Sequence, residues 1–398
     1  MKHLKTVLFG LALTLGASGA WAEKKYDPGA SDTEIKIGQI GPYSGPASAY
    51  GAIGKTIGAY FDKVNAEGGI NGRKIKYVPL DDGYNPARAV EDARKLVEED
   101  EVLLIFNPLG TPSNTAIEKY MNAKKVPQLF VATGATKFGN PANHWTMGWQ
   151  PPYAAEGRIY AQHILETNPN AKIAVLYQND DFGKDYLAGF MEGLGAKAKS
   201  MIVKEATYEV TDPTLDSQML TLKASGADTF LDISTPKFAA MSIKKAAEIG
   251  WKPQTYLTNV SISVSSVMTP AGLQNGVGII TALYGKDPTD PQWANDPAMK
   301  DWTAFMKQYY PSGSLTDANS VYGYSVAQTM VQVLKQCGDD LTRANVMKQA
   351  ANLNITLPMS LPGVNVQTSP TDYFPIEREQ LARFDGKTWV LFGKVYGR

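Results

Sequence analysis

Residues 106–117, read as FNPLGTPSNTAI, place a glycine, two prolines and three hydroxyl side chains between an apolar run at 102–105 and a helical segment. Thr111 is expected to cap that helix, Pro112 to take its first position, and Ser113 and Thr115 to add hydroxyls. A strand that ends in such a turn directs free backbone N–H groups and hydroxyls at one point, which suits a small anion such as a carboxylate. An ordinary capped helix uses the same residue types. The surroundings of this turn therefore decide between the two.

Residues for catalysis are sparse. Past the first residues only His144 and His163 remain, and neither has an acidic residue at ligand spacing, which argues against zinc. There is no G-x-S-x-G elbow. Asp81-Asp82 and Asp180-Asp181 each follow an apolar run and precede a helix, where turns and caps account for them. Residues 49–56 fit a relaxed phosphate-loop pattern, but Ala49 stands where the pattern needs glycine. Lys55 and Thr56 also fall inside a helix beside Ile57. The sequence thus offers no catalytic set, no metal site and no cofactor motif, and the protein is read as a non-enzyme.

The remaining polar groups cluster where apolar runs end. In the first half these loops are 43–50, 109–113 and 132–136; in the second they are 179–183, 234–237 and 259–263. They carry hydroxyls, amides, glycines and aromatic rings but few charges. Such a lining suits a small ligand with one anionic end and an apolar body.

The elements that hold these loops alternate. Strands are expected at 35–40, 75–80, 102–106 and 126–131, with helices at 53–64, 86–100 and 113–123. Residues 144–152 (HWTMGWQPP) break the rhythm and read as a crossing between lobes. Helices then fall at 154–167, 182–194, 215–224 and 236–249, and strands at 173–177, 201–206, 229–233 and 256–258. A strand at 277–284 reads as a second crossing. Helices follow at 298–309, 321–336 and 342–353, and two strands at 380–384 and 389–392 flank the Asp385-Gly386 hairpin signal. Continuous apolar strands alternating with helices imply α/β lobes with parallel sheets covered on both faces. Two lobes are expected, because single cores stop growing at roughly 250–300 residues.

The first 22 residues read as a cleaved signal peptide: Lys2 and Lys5, an apolar run at 6–16, and the site Ala20-Trp21-Ala22. No cysteine marks that site for lipidation, so a soluble protein held behind an outer membrane is expected. Removing the leader takes two lysines and leaves 37 basic against 39 acidic residues. That balance argues against nucleic acid or an anionic membrane as partner. Cys337, the one cysteine, lies in an apolar helix pattern and reads as core.

At these loops the chain resembles the type I periplasmic solute-binding proteins of the branched-chain amino acid transporter class. The resemblance rests on IKIGQIGPYSGPASAYG, NAEGGINGRKIKYVPLDDGYNPARAVEDARKLV and NPLGTPSN, followed by QLFVATGATKFGNP, WQPPYAAEGRIYA, AVLYQNDDFGKDYLAGF and FDGKTWVLFGKVY. It spans essentially the whole chain after the leader. It implies two Rossmann-like α/β lobes joined by three hinge crossings, with the ligand in the cleft between them. Lobe 1 would hold 23–150 and 284–360, and lobe 2 would hold 151–283 and 361–398. The partners implied are a small-molecule carboxylate and an inner-membrane ABC permease with its two ATPase subunits, served by a monomer.

By position, the resemblance makes Thr111 the holder of the ligand carboxylate, beside the backbone of Leu109 and Gly110. Ala132, Thr133 and Gly134 match the second first-lobe loop, Tyr50 an aromatic wall, and Phe182 a place where amino-acid binders often have tyrosine. Thr235, Asn259 and Ser261 would face them from the second lobe. Amino-acid binders place an acid there for the α-ammonium, whereas residues 258–261 read TNVS. Burying an ammonium without a counter-charge costs several kcal/mol. The ligand is therefore expected to lack an α-amino group. The rings of Tyr43, Tyr50, Tyr153, Phe182 and Tyr322 favour an aromatic carboxylate of the benzoate or phenylpropanoid type. Asp181 or Asp232 supplying the charge would restore the amino-acid reading. A sensor lobe for a membrane receptor is a further alternative, though no transmembrane or signalling segment follows the clamp; a periplasmic hydrolase is disfavoured by the missing nucleophile–base set.

Overall fold

Two sheets of buried apolar strands organise the chain. The structure is a computed structural model that describes residues 24–397. The expected leader at 1–22 lies outside the described residues.

The first sheet contains β1 (Glu34–Gly41), β2 (Lys74–Asp81), β3 (Leu104–Phe106), β4 (Gln128–Val131) and β5 (Thr146–Gly148), ordered β2-β1-β3-β4-β5 and parallel throughout. Helices α1 (Gly51–Ala66), α2 (Pro86–Arg94) and α3 (Thr111–Lys124) connect its strands. The second sheet contains β6 (Ile173–Gln178), β7 (Ile202–Tyr208), β8 (Thr229–Ile233), β9 (Gln254–Leu257) and β10 (Ile280–Leu283). Its parallel part runs β7-β6-β8-β9-β10, the same order as the first sheet. Its connecting helices are α4 (Tyr153–Thr167), α5 (Asp181–Leu194), α6 (Asp216–Ala224) and α7 (Pro236–Glu248). The antiparallel pair β11 (Arg378–Phe384) and β12 (Trp389–Gly397) extends it beside β10, joined through Asp385-Gly386. In each sheet the strand order reverses beside the first strand, and open α/β sheets form ligand crevices at such reversals.

After β10 the chain returns to the first sheet. Helices α8 (Pro297–Tyr309), α9 (Ala318–Cys337) and α10 (Arg343–Ala350) follow, and α9 packs on α1. A Cβ added at Gly323 would lie 2.7 Å from the Ile53 carbonyl, so this glycine lets the two helices approach closely. Tyr60 of α1 meets Tyr324 edge-on at 5.1 Å. Cys337 is buried there, and burial pushes its thiol up to about 12, which leaves it unreactive.

Four expectations change. Residues 144–152 are only partly a crossing, because Thr146–Gly148 pair with β4 as an edge strand and the chain leaves the sheet at Trp149. A three-residue strand is too short to show a period. The strand expected from 277 begins at Ile280, and Tyr284 opens the second crossing. The segment from 361 does not join the second sheet at once: Tyr373 reaches His144, and Phe374 fills the space above Gly139. It joins the second sheet only at Arg378, where β11 begins. Finally, Thr111 is the first helical residue of α3 and Gly110 is the cap. Gly110 holds φ +99°, and a Cβ on it would lie 2.6 Å from the Tyr84 ring. A side chain at that position would be both strained and blocked.

Candidate ligand-binding cleft

The carboxyl ends of the two sheets face each other across a cavity of about 100 Å³. Leu109, Gly110, Thr111 and Ala132 line it from the ends of β3 and β4, and Tyr50 and Tyr84 from the loops after β1 and β2. Phe182, Thr235, Asn259, Val260 and Ile262 line it from the second lobe. The crossings contribute Trp149, Tyr153, Tyr284, Lys286 and Asp287, and α9 contributes Asn319 and Tyr322.

The wall is mainly aromatic. Trp149 meets Tyr322 edge-on at 4.8 Å, and Tyr153 meets Phe182 at 5.0 Å. Burial raises the hydroxyls of Tyr50, Tyr84, Tyr153, Tyr284 and Tyr322 above their ordinary range, so they stay neutral. Lys286 also lines the cavity, but its ammonium pairs with Asp296 at 2.8 Å and lies over the Trp293 ring.

Thr111 reaches the cavity from the first turn of α3. Its hydroxyl lies 2.6 Å from that of Thr133, which accepts the Ala135 N–H at 3.1 Å. The other two hydroxyls do not converge with it. Ser113 donates to Asp82 at 2.7 Å, and the buried Thr115 hydroxyl has no hydrogen-bond partner and lies off the cavity. Ser113 is turned by about 200° from Thr111, and Thr115, on the same face, lies one turn further along the helix. Burial pushes the Asp82 carboxyl up to about 6, against the bonds from Ser113 and the Tyr84 N–H.

In the second lobe Asn259 lies between two buried acids. Its backbone N–H donates to Glu156 Oε1 at 2.8 Å and its Nδ2 to Glu379 Oε1 at 3.0 Å. Tyr160 also donates to Glu156, at 2.6 Å. Burial raises both carboxyls, and Glu156 adds repulsion at Glu379. Thr235 Oγ1 lies 3.2 Å from the Tyr208 hydroxyl.

Of the residues singled out in the sequence, Tyr50, Leu109, Gly110, Thr111, Ala132, Tyr153, Phe182, Thr235, Asn259 and Tyr322 come together on the cavity wall. Tyr43, Thr133, Gly134 and Ser261 do not. The Tyr43 hydroxyl donates to Gln39 at 2.7 Å and occupies the space above Gly54. Thr133 stands behind Thr111. Gly134 packs against the Pro151 carbonyl, and its own carbonyl accepts the Tyr153 N–H at 2.7 Å. Ser261 donates to the Ser234 carbonyl. Asp181 forms a half-exposed pair with Lys137, and Asp232, within β8, is held by Ser234 and Ser242, so neither lines the cavity. The carboxyl that does line it is Asp287, whose Oδ2 has no hydrogen-bond partner. Sequence reasoning missed Asp287 together with Tyr84, Trp149 and Tyr284. Three of the four lie in crossings, so a crossing should be read as cleft wall as well as linker. Tyr84 follows the strand-end pair Asp81-Asp82, which was read only as a turn.

The lobes touch across the cleft. Thr136 donates to Asp185 Oδ2 from its N–H at 3.1 Å and its hydroxyl at 3.0 Å, Ser263 donates to Asp317 at 2.8 Å, and Gln178 Nε2 lies 3.4 Å from the Tyr84 hydroxyl.

The family model described as periplasmic binding protein matches residues 34–387. Among curated proteins, the chain is 26% identical over 356 residues to Leu/Ile/Val-binding protein homolog 7 of Brucella suis biovar 1, covering 84% of this chain and 82% of that one. Among solved structures, a fatty acid ABC transporter substrate-binding protein from Thermomonospora curvata superposes with a TM-score of 0.80 at 22% identity, over 94% of this chain and 95% of that one. An ABC transporter solute-binding protein from R. palustris, in complex with 4-hydroxybenzoate, superposes with a TM-score of 0.76 at 18% identity, over 92% and 97%.

Proposed function

Because this chain belongs to the periplasmic binding protein family, in the type I branched-chain amino acid class, we propose that it is the periplasmic solute-binding component of an ABC importer, closing around a small aromatic carboxylate. The carrying observation is the wall of Tyr50, Tyr84, Trp149, Tyr153, Phe182, Tyr284 and Tyr322 around the first turn of α3. Flat rings pack against such a wall by stacked or edge contacts. The carboxylate is held by the Thr111 hydroxyl and the α3 N-terminus rather than by a free cation, since Lys286 is already paired. The solved relative with bound 4-hydroxybenzoate supports this ligand class. The three passages at 149–152, 284–286 and 376–378 serve as hinges. The monomer is exported through its leader and delivers the ligand to a permease.

A second reading is an amino-acid binder. It is favoured by Asp287, the acid on the cavity wall, and by the name of the Brucella relative. A thermal-shift screen of aromatic acids, aliphatic acids and amino acids separates the two. A ligand at a hundredfold over its dissociation constant stabilises the fold by about 2.7 kcal/mol.

A further inference from the structure

Asn259 is bonded outward at two points. Its N–H goes to Glu156 and its Nδ2 to Glu379. Its remaining polar atom, Oδ1, accepts no bond from the protein and is not among the buried atoms left without a partner. The residue is 6% exposed and lines the cavity, so the cavity is where Oδ1 has access. The second-lobe wall therefore presents a carbonyl oxygen.

The arrangement behind it is costly. Glu156 and Glu379 are both buried, Glu156 Oε2 has no hydrogen-bond partner, and no lysine or arginine acts on either carboxyl among the described residues. Burial raises both carboxyls, and a desolvated polar group is tolerated only where its hydrogen bonds are met. Packing alone does not account for two acids that each hold a different nitrogen of one cavity residue.

We propose that Glu379 is a positioning residue that turns the Asn259 amide so that Oδ1 faces the ligand, which selects aromatic carboxylates bearing a hydroxyl. The inference rests on the function proposed above. A ring hydroxyl donates to Oδ1; a ring without one leaves that oxygen desolvated and unpaired. Glutamine at 379 keeps an acceptor for Nδ2. Leucine removes it and frees the amide to turn.

The test is calorimetric titration of benzoate, 3-hydroxybenzoate and 4-hydroxybenzoate into the wild type, Glu379→Gln and Glu379→Leu, with melting curves to establish folding. The wild type should bind at least one hydroxybenzoate about tenfold tighter than benzoate, the size of one hydrogen bond. Glu379→Gln should keep that ratio and Glu379→Leu should bring it towards one. If Glu379→Leu does not fold, Asn259→Ala must collapse the same ratio. Equal binding of all three by the wild type, or an unchanged ratio in folded Glu379→Leu, overturns the inference and leaves the carboxylate reading standing. Binding of none of the three removes both.

Discussion

Thr111 Oγ1 lies 2.6 Å from Thr133 Oγ1, with both side chains about 1% exposed. Thr133 already accepts the Ala135 N–H, so it can give its own proton to Thr111. The Thr111 proton is then free to point into the cavity. Thr111→Ala should weaken carboxylate binding by about 1–3 kcal/mol, the range for a hydrogen bond to a charged group. Thr133→Val should cost less, and Thr111→Ser should retain most of the affinity. Calorimetry with unchanged affinity for Thr111→Ala would remove its role as donor.

Gly110 joins the strand to this turn at φ +99°, beneath the Tyr84 ring. Gly110→Ala should lower stability by about 1–3 kcal/mol, because a strained backbone and a clash act together. It should also weaken ligand binding, since Tyr84 is part of the wall. Denaturant unfolding of this variant with a wild-type midpoint would contradict the argument.

Closure has a local signature. Thr136 gives Asp185 Oδ2 two hydrogen bonds that cross from one lobe to the other. Asp185→Ala should speed ligand release several-fold, for a loss of about 1 kcal/mol. The free protein should melt as before. Stopped-flow dissociation rates provide the check.

Buried acids set the pH dependence of stability. Burial raises Asp82 to about 6 and Asp232 to about 7, and it raises Glu156 and Glu379 as well. The folded chain therefore holds these protons more tightly than the unfolded chain, whose carboxyls titrate near 3.8 and 4.5. This stabilisation is complete below those values and is lost as pH rises through about 6 to 7. Glu379→Gln removes one titrating group, the one on which Glu156 acts by repulsion. It should flatten the decline between pH 5 and pH 8 in guanidinium melts. A decline as steep as that of the wild type would show that the pair does not contribute.

The alternation of apolar strands with amphipathic helices made both sheets readable in order, because burial on two faces leaves continuous apolar runs. The strand-end loops were readable for the same reason: Thr111, Phe182 and Asn259 sit where their strands end. In the pattern at 49–56, Lys55 and Thr56 lie within α1 and the Thr56 hydroxyl donates back to the Ala52 carbonyl. What stayed hidden depends on contacts distant in sequence. Tyr43 looked like cleft wall until Gln39 and Gly54 placed it elsewhere. The Glu156–Asn259–Glu379 network joins residues more than a hundred positions apart, and no spacing rule connects them.

The most direct test is calorimetric titration of the ligand-free protein with 4-hydroxybenzoate and, separately, with leucine. Saturable binding of the aromatic acid, lost or greatly weakened by Thr111→Ala, is the predicted result. Saturable leucine binding with no heat from 4-hydroxybenzoate or any other aromatic acid would contradict the account and point instead to Asp287 as an ammonium partner.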